Sequence, residues 1–483
     1  METTSFELNE ATIEEIQKAF QENRLTSVDL VQAYLDQIEK FDKNGPKINS
    51  VLTINPDALK IAAELDEMRG QDGQGLLYGI PVLLKDNIET ADPMPTTGGT
   101  IALEQNFARE DSFVASQLRN AGAIILGKVN MSEWAYFMSK DGPSGYSSLG
   151  GQVLNPYGVD TFKAGDVGGS SSGTGAAIAS NFAVVGVGTE TSGSILSPAS
   201  ANSIVGIKPT VGLISRSGII PLAESQDTPG PMARTVADAA IMLGALTGVD
   251  ERDPATQAST GHALTDYTPH LKTDGLKGAR IGVDISFLND EEPEERAIMD
   301  EAIEQLKLLG AIVEEMTIPV QPFQSDVLWY EFKRGVNEYL QTVSDDVPAK
   351  SLADVIEFNK EDPERRMKFG QAELEKSQSL SDDPTDPTYV LHRETDLRTS
   401  AAEGLDVAMS EHKLDALLFQ NNRGAAMPAK AGYPSITVPA GYTGSGHPVG
   451  VTFSGLAFSE ARLIELAYSY EQATLKRKAP DFE

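Results

Sequence analysis

The sequence predicts an α/β layered fold. Three observations carry that prediction. Helical and strand-like textures alternate through residues 76–235, the pattern of strands interleaved with covering helices. Apolar runs such as GIPVLLKDN (79–87) and AGAIILGKVN (121–130) are short and continuous and end on polar residues, as in strands buried on both faces. The 483 residues, 40% hydrophobic and 23% charged, suffice for a large core with a closed pocket.

The elements follow in order. Residues 1–70 read as a helical region. Thr12 with Glu15, and Thr26 with Asp29, each fit a capping box, in which side chain and backbone satisfy one another's free groups at a helix start. Leu30, Val31, Tyr34, Leu35 and Ile38 then recur at helical spacing until Gly45-Pro46 breaks the pattern. Between 140 and 220 the chain is rich in glycine and serine, with a third strand at FAVVGVGTE (182–190). Residues 320–412 are polar and acidic. Pieces such as PERRMKFGQAELEKS (363–377) and the breaker-rich SDDPTDPTY (381–389) mark a mostly helical excursion that walls the pocket. At 414–483 strands return in DALLF, SITVPAGY and VGVTFSG, and a final helix spans Ser459–Thr474. The chain reads as one domain over 1–483, with 76–235 as its chemical core.

Composition excludes several functions. There are no cysteines, so disulfides, thiolate nucleophiles and Cys-ligated zinc are ruled out. His262, His270, His392, His412 and His447 form no HExxH motif and no i, i+4 pair, so no metal site is expected. A net charge of −32 opposes binding to nucleic acid, to anionic membranes and to highly anionic substrates. The N-terminus METTSFELNEATIEE lacks a basic n-region and an apolar h-region, and no apolar run reaches 18 residues. The expectation is a cytoplasmic protein without a membrane span.

The densest chemical feature is Val167–Ser197, in which two small-residue loops each present serine among glycines. Glycines let backbone N–H groups converge on an anion, and such a nest beside a serine hydroxyl supplies the nucleophile and oxyanion hole of acyl transfer. A base is also needed. Lys85 ends the apolar run Ile80–Leu84, and apolar surroundings depress a lysine's pKa until it can serve as a base. On the residues alone, a strand-end lysine reaching solvent remains the competing reading. Two look-alikes fail. Gly169–Gly173 fits GxSxG, but the preceding DTFKAGDVG is not a strand. Gly122–Val129 resembles a P-loop, but Val129 stands where the magnesium-binding hydroxyl belongs.

These motifs resemble the amidase signature family over nearly the full chain. The carriers are GGSSSG (168–173), the glycine loop Thr189–Ser194 and the lysine motif at 79–87, with 24 positions separating Ser170 from Ser194. TTGGT (96–100), LRNAGAIILGKVNMSEWA (118–135), GGQVLNPYG (150–158), VGIKPTVGLISRSGIIPL (205–222) and AGYPSITVPAGY (431–442) follow in family order.

The resemblance implies a central mixed β-sheet covered by helices on both faces, with no metal or organic cofactor. It implies a Ser-Ser-Lys triad: Ser194 as nucleophile, Ser170 as proton bridge after a cis peptide bond, and uncharged Lys85 as base. The backbone N–H groups of Thr191, Ser192, Gly193 and Ser194 would form the oxyanion hole. Ser171 and Ser172 would be structural. TETSGS and ESQDTPGPMARTVADAA look most like the peptide amidase branch, whose members release ammonia from peptide C-terminal amides. Three residues depart from the general pattern, and the first, Glu190 in place of the usual Asp of the T-D-x-G-G-S loop, fits the peptide amidase look. Ser192 stands beside the nucleophile where glycine or an acid is usual, and Val167 replaces a frequent proline. The substrate implied is a small amide or peptide amide. The alternatives are a glutaminase-type transamidation subunit working in a complex, and an inactive binding protein on the same scaffold.

Overall fold

The computed structural model describes residues 6–71, 73–288, 292–318 and 323–482. The outermost residues of the N-terminal region, the first three residues of the 320–412 excursion and Glu483 lie outside that set.

In chain order the strands are β1 (Val51–Ile54), β2 (Pro81–Lys85), β3 (Ile124–Val129), β4 (Tyr146–Ser147), β5 (Gly151–Gln152), β6 (Val185–Glu190) and β7 (Val205–Lys208). They continue with β8 (Thr228–Ala233), β9 (Arg280–Asp284), β10 (Ile312–Met316), β11 (Ala416–Gln420), β12 (Ser435–Tyr442) and β13 (Pro448–Ser454). β4 and β5 pair with each other. The other eleven form one sheet in the order β1-β3-β2-β6-β8-β7-β12-β13-β11-β9-β10. β3, β2 and β6 are mutually parallel, as are β11, β9 and β10, and the remaining pairs are antiparallel. The sheet is therefore mixed, and helices flank it, as the family resemblance implied.

This topology places the chemistry. Every residue of β2 is buried, which is why its sequence is an unbroken apolar run closed by one lysine. Because β2 and β6 are parallel neighbours, their carboxyl ends lie side by side. Lys85 closes one, and Thr189 and Glu190 close the other. The helix Ser172–Ala179 packs on the same strands and is buried along its whole length. Gly186 and Gly188 permit that approach. A Cβ on Gly186 would stand 2.8 Å from Thr174 Cγ2, and one on Gly188 would stand 2.9 Å from Ser171 Oγ. Helices Val236–Leu246, Pro293–Leu308 and Glu460–Thr474 also pack on the sheet.

Both capping boxes form, at Thr12–Glu15 and Thr26–Asp29. The P-loop look-alike is strand β3, entered through Gly122 at φ +76°, where a Cβ would meet the Tyr78 ring at 2.5 Å. The stretch 363–377 is two short helices, Pro363–Arg366 and Ala372–Ser379, broken near Gly370 at φ +79°. Helix Val327–Leu340 anchors the excursion: Phe332 packs edge-on against Trp134 at 5.9 Å and against Phe137 at 4.9 Å.

Candidate active site

The site begins with the Lys85 head group, which is fully buried. Burial pushes its pKa down from 10.5 to about 7, although Asp227 and Glu190 pull it back up. A lysine depressed this far can lose its proton near neutral pH, which a base requires. Lys85 Nζ lies 2.7 Å from Ser170 Oγ, 2.9 Å from Thr189 Oγ1 and 3.1 Å from the Thr189 carbonyl; the ammonium donates to all three, while the uncharged amine has two N–H groups to donate and a lone pair left to accept from a hydroxyl. Asn87 Nδ2 donates to the same Thr189 hydroxyl at 3.0 Å. The lysine head is thus held on three sides with no carboxylate in direct contact.

Ser170 sits in the loop entering helix Ser172–Ala179, and the Gly169–Ser170 peptide is cis. The Ser170 carbonyl accepts from the Ser132 N–H at 3.1 Å, which fixes the loop from the other side. Ser171 Oγ donates to the Thr189 carbonyl at 3.0 Å, and Ser172 Oγ donates to the Gly168 carbonyl at 2.6 Å. These two serines hold the loop to itself and to β6, leaving Ser170 as the one that meets the lysine.

Beyond β6 the chain turns sharply through Thr191–Ser194 into helix Leu196–Ala201. Glu190 shapes this turn. Its Oε2 accepts from the N–H groups of Ile195 and Leu196 at 2.7 and 3.0 Å, so a buried carboxylate caps the turn from within. Gly193 holds φ +82°, a conformation that strains a side chain, and its Cβ position lies 2.8 Å from Asn422 Nδ2. The Ser194 carbonyl accepts from the Ser171 N–H at 3.1 Å, which joins the two serine loops. Among the described residues, none of the N–H groups of Thr191, Ser192, Gly193 and Ser194 donates to a protein acceptor. Four consecutive free donors beside a serine can receive a developing oxyanion.

Thr191, Ser192 and Ser194 line a cleft of about 420 Å³, together with Gly169, Leu328, Trp329 and Glu373. The 320–412 excursion supplies the last three. For several residues of this site the sequence carries no signal. Thr189 and Asn87 lie within the family-like motifs, yet nothing local marks a task for them. Asn422 and Glu373 reach the cleft from distant segments that only the folded sheet brings near. Asp227 accepts from Thr191 Oγ1 and from the Leu222 and Ala223 N–H groups, bracing the turn from outside. Among the described residues no group of three or more His, Asp or Glu is placed to hold a metal ion, and no helix is long and apolar enough to cross a membrane.

A buried lysine at the carboxyl end of β2, bonded to a loop serine and lying beside a glycine–serine turn, is an arrangement suited to acyl transfer. The chain belongs to the amidase family: the family model, described as Amidase, matches residues 29–464. It is 42% identical to an amidase family protein from Bacillus anthracis of known structure, with TM-score 0.92 over 98% of this chain and 93% of that one. It is 41% identical to the peptide amidase of Stenotrophomonas maltophilia, with TM-score 0.90 over 98% and 99% of the two chains. A probable amidase of Arabidopsis thaliana is 40% identical across 99% of this chain and 93% of its own. Lower in identity, at 32% over 96% of this chain and 98% of its own, stands a glutamyl-tRNA(Gln) amidotransferase subunit of Thermosynechococcus vestitus. The protein is an amide hydrolase.

Proposed function

We propose that Ser194 is the nucleophile, Ser170 the proton bridge and Lys85 the base, and that the substrates are carboxamides of the peptide C-terminal amide type. The observation that carries this reading is the 2.7 Å contact between Ser170 Oγ and a lysine amine whose pKa burial has lowered to about 7. In the uncharged state Lys85 accepts the Ser170 proton while Ser170 accepts that of Ser194. Ser194 Oγ then bonds to the amide carbon. The carbonyl electrons move onto oxygen, where the N–H groups of Thr191–Ser194 receive the charge.

Collapse of that intermediate breaks the C–N bond. The proton held by Lys85 returns through Ser170 to the nitrogen, and ammonia leaves. Water, deprotonated along the same chain, attacks the Ser194 ester and releases the acid. One water is consumed and one carboxylic acid and one ammonia are formed per turn.

The peptide-amide substrate class is supported by the 41% identity with the Stenotrophomonas maltophilia enzyme over both chains. Transamidation in a complex is the second reading, and the 32% identical amidotransferase relative is the observation that favours it. The higher identity to amidases favours the first. An inactive scaffold is disfavoured because Lys85, Ser170 and Ser194 are all present. The test is ammonia release from an N-acylated dipeptide amide, with Ser194→Ala as control. Release by the wild type alone is expected. Release by both proteins would contradict the assignment of Ser194. Release by neither would remove the peptide-amide class.

A further inference from the structure

The cleft that holds Ser194 contains a carboxylate that the acyl-transfer chemistry does not use. Glu373 lies in the first turn of helix Ala372–Ser379, and its side chain is only 8% exposed, yet it lines the cleft. One oxygen, Oε2, accepts from Trp329 Nε1 at 2.6 Å. The other, Oε1, has the Lys140 ammonium 3.7 Å away, beyond hydrogen-bond distance, on a side chain that is 70% exposed. The second nearby cation, Lys376, is engaged elsewhere, paired with Asp326 at 2.7 Å. A carboxylate offers about four acceptor positions, and Oε1 keeps enough contact with solvent for water to fill those that the protein leaves open. Here a single short hydrogen bond is made, and the ion pair beside it is loose and solvated, so a ligand displaces it at little cost.

The walls around this carboxylate are apolar: Phe137, Leu328 and the Trp329 ring line the same cleft. Apolar walls in the same cleft as a carboxylate with acceptor positions open to a ligand fit a hydrocarbon stem carrying a donor-rich cation. The net charge of −32 acts in the same direction, since it raises the local concentration of cations and opposes anions.

We infer that Glu373 is a specificity-determining residue that receives a protonated amine on the acyl portion of the substrate. This rests on Ser194 being the nucleophile, as proposed above, because Ser194 and Glu373 line the same cleft. The ammonium can be the free α-amine of a short peptide amide or a lysine side chain. Both present three N–H donors and one positive charge.

The experiment compares kcat/KM for alanyl-phenylalaninamide and its N-acetyl form, and for N-acetyl-lysyl- and N-acetyl-norleucyl-phenylalaninamide, in wild type, Glu373→Gln and Lys140→Met. Glutamine keeps an acceptor for Trp329 and removes the charge. For at least one pair the wild type favours the cationic member about ten-fold near pH 7, mainly through KM. Glu373→Gln lowers that ratio about ten-fold, and Lys140→Met raises it by removing the competing cation. If the α-amine is the group read, its advantage disappears as that amine deprotonates above pH ~8. The pair that shows the gain identifies which ammonium reaches Glu373.

A ratio near one for both pairs in the wild type overturns the inference. So does a Glu373→Gln variant that slows both members of a pair alike, the mark of a merely structural role. Cleavage of the acetylated amides by wild type and not by Ser194→Ala upholds the peptide-amide reading whatever Glu373 does. If no peptide amide turns over, protection of Ser194 from a fluorophosphonate by each member of a pair reads the same preference as binding.

Discussion

In the mechanism proposed above the chemistry turns on Lys85, and its pH behaviour is the first consequence. With a pKa of about 7 it is a base only when its proton is gone, so kcat/KM rises with pH to about 7 and then levels. An optimum on the acid side contradicts a lysine base. Lys85→Ala lowers kcat by about a thousand-fold or more, while Ser194→Ala abolishes turnover. The same shift has a stability consequence with a definite sign. Between pH 7 and 10.5 the unfolded chain carries the Lys85 proton and the folded chain does not, so stability gained from this group grows as pH rises through that window. Wild type therefore gains Tm relative to Lys85→Met on going from pH 7 towards 10.5. A difference that is flat with pH would contradict a depressed lysine.

At the scale of the element, the turn after β6 is the most constrained piece. Gly193 combines φ +82° with an Asn422 amide 2.8 Å from the position of a Cβ. Gly193→Ala strains the backbone by about 1 kcal/mol and displaces the donors that flank it. The expected result is kcat reduced about ten- to hundred-fold with a smaller change in KM, measured by ammonia release.

The elements also show what sequence could and could not reveal. β2, β3, β6, β11, β12 and β13 were legible because each is a buried apolar run, and the serine loops were legible because glycine and serine cluster there. β8 was not. TPGPMA contains two prolines, which argue against a central strand. It survives because β7 pairs with it only at Met232 and Ala233, so beside Pro229 and Pro231 the β7 ladder asks for no N–H. β9 and β10 carry the mixed polarity of strands near an edge. Lys85, Ser170 and Ser194 could be singled out through their family-like motifs. Asn422, Glu373 and Trp329 could not, because their proximity to Ser194 is a product of the sheet order and of the excursion folding back.

At the scale of the whole molecule, the site draws residues from 85 to 422, and the N- and C-terminal regions are tied to the body that carries it. Arg477 does this. Its guanidinium donates to both Glu10 carboxylate oxygens at 2.7 Å and to the Ala179 and Ser203 carbonyls at 3.1 and 2.8 Å. It thereby joins the N-terminal region to the end of helix Ser172–Ala179, the helix whose other end carries the serine loop. Arg477→Ala leaves Glu10 without its cation. Because Glu10 is 34% exposed, the loss is smaller than for a fully buried pair, about 2 kcal/mol. A lowered Tm with kcat/KM little changed at 25 °C is expected. An unchanged Tm would show that the tie contributes nothing.

The most direct test of the central claim is labelling by a fluorophosphonate, followed residue by residue with mass spectrometry in wild type and Lys85→Ala as pH is raised through 7. One adduct is expected, on Ser194, forming faster as Lys85 loses its proton and nearly absent in Lys85→Ala. An adduct on another residue, or labelling of Ser194 indifferent to Lys85 and to pH, would contradict it.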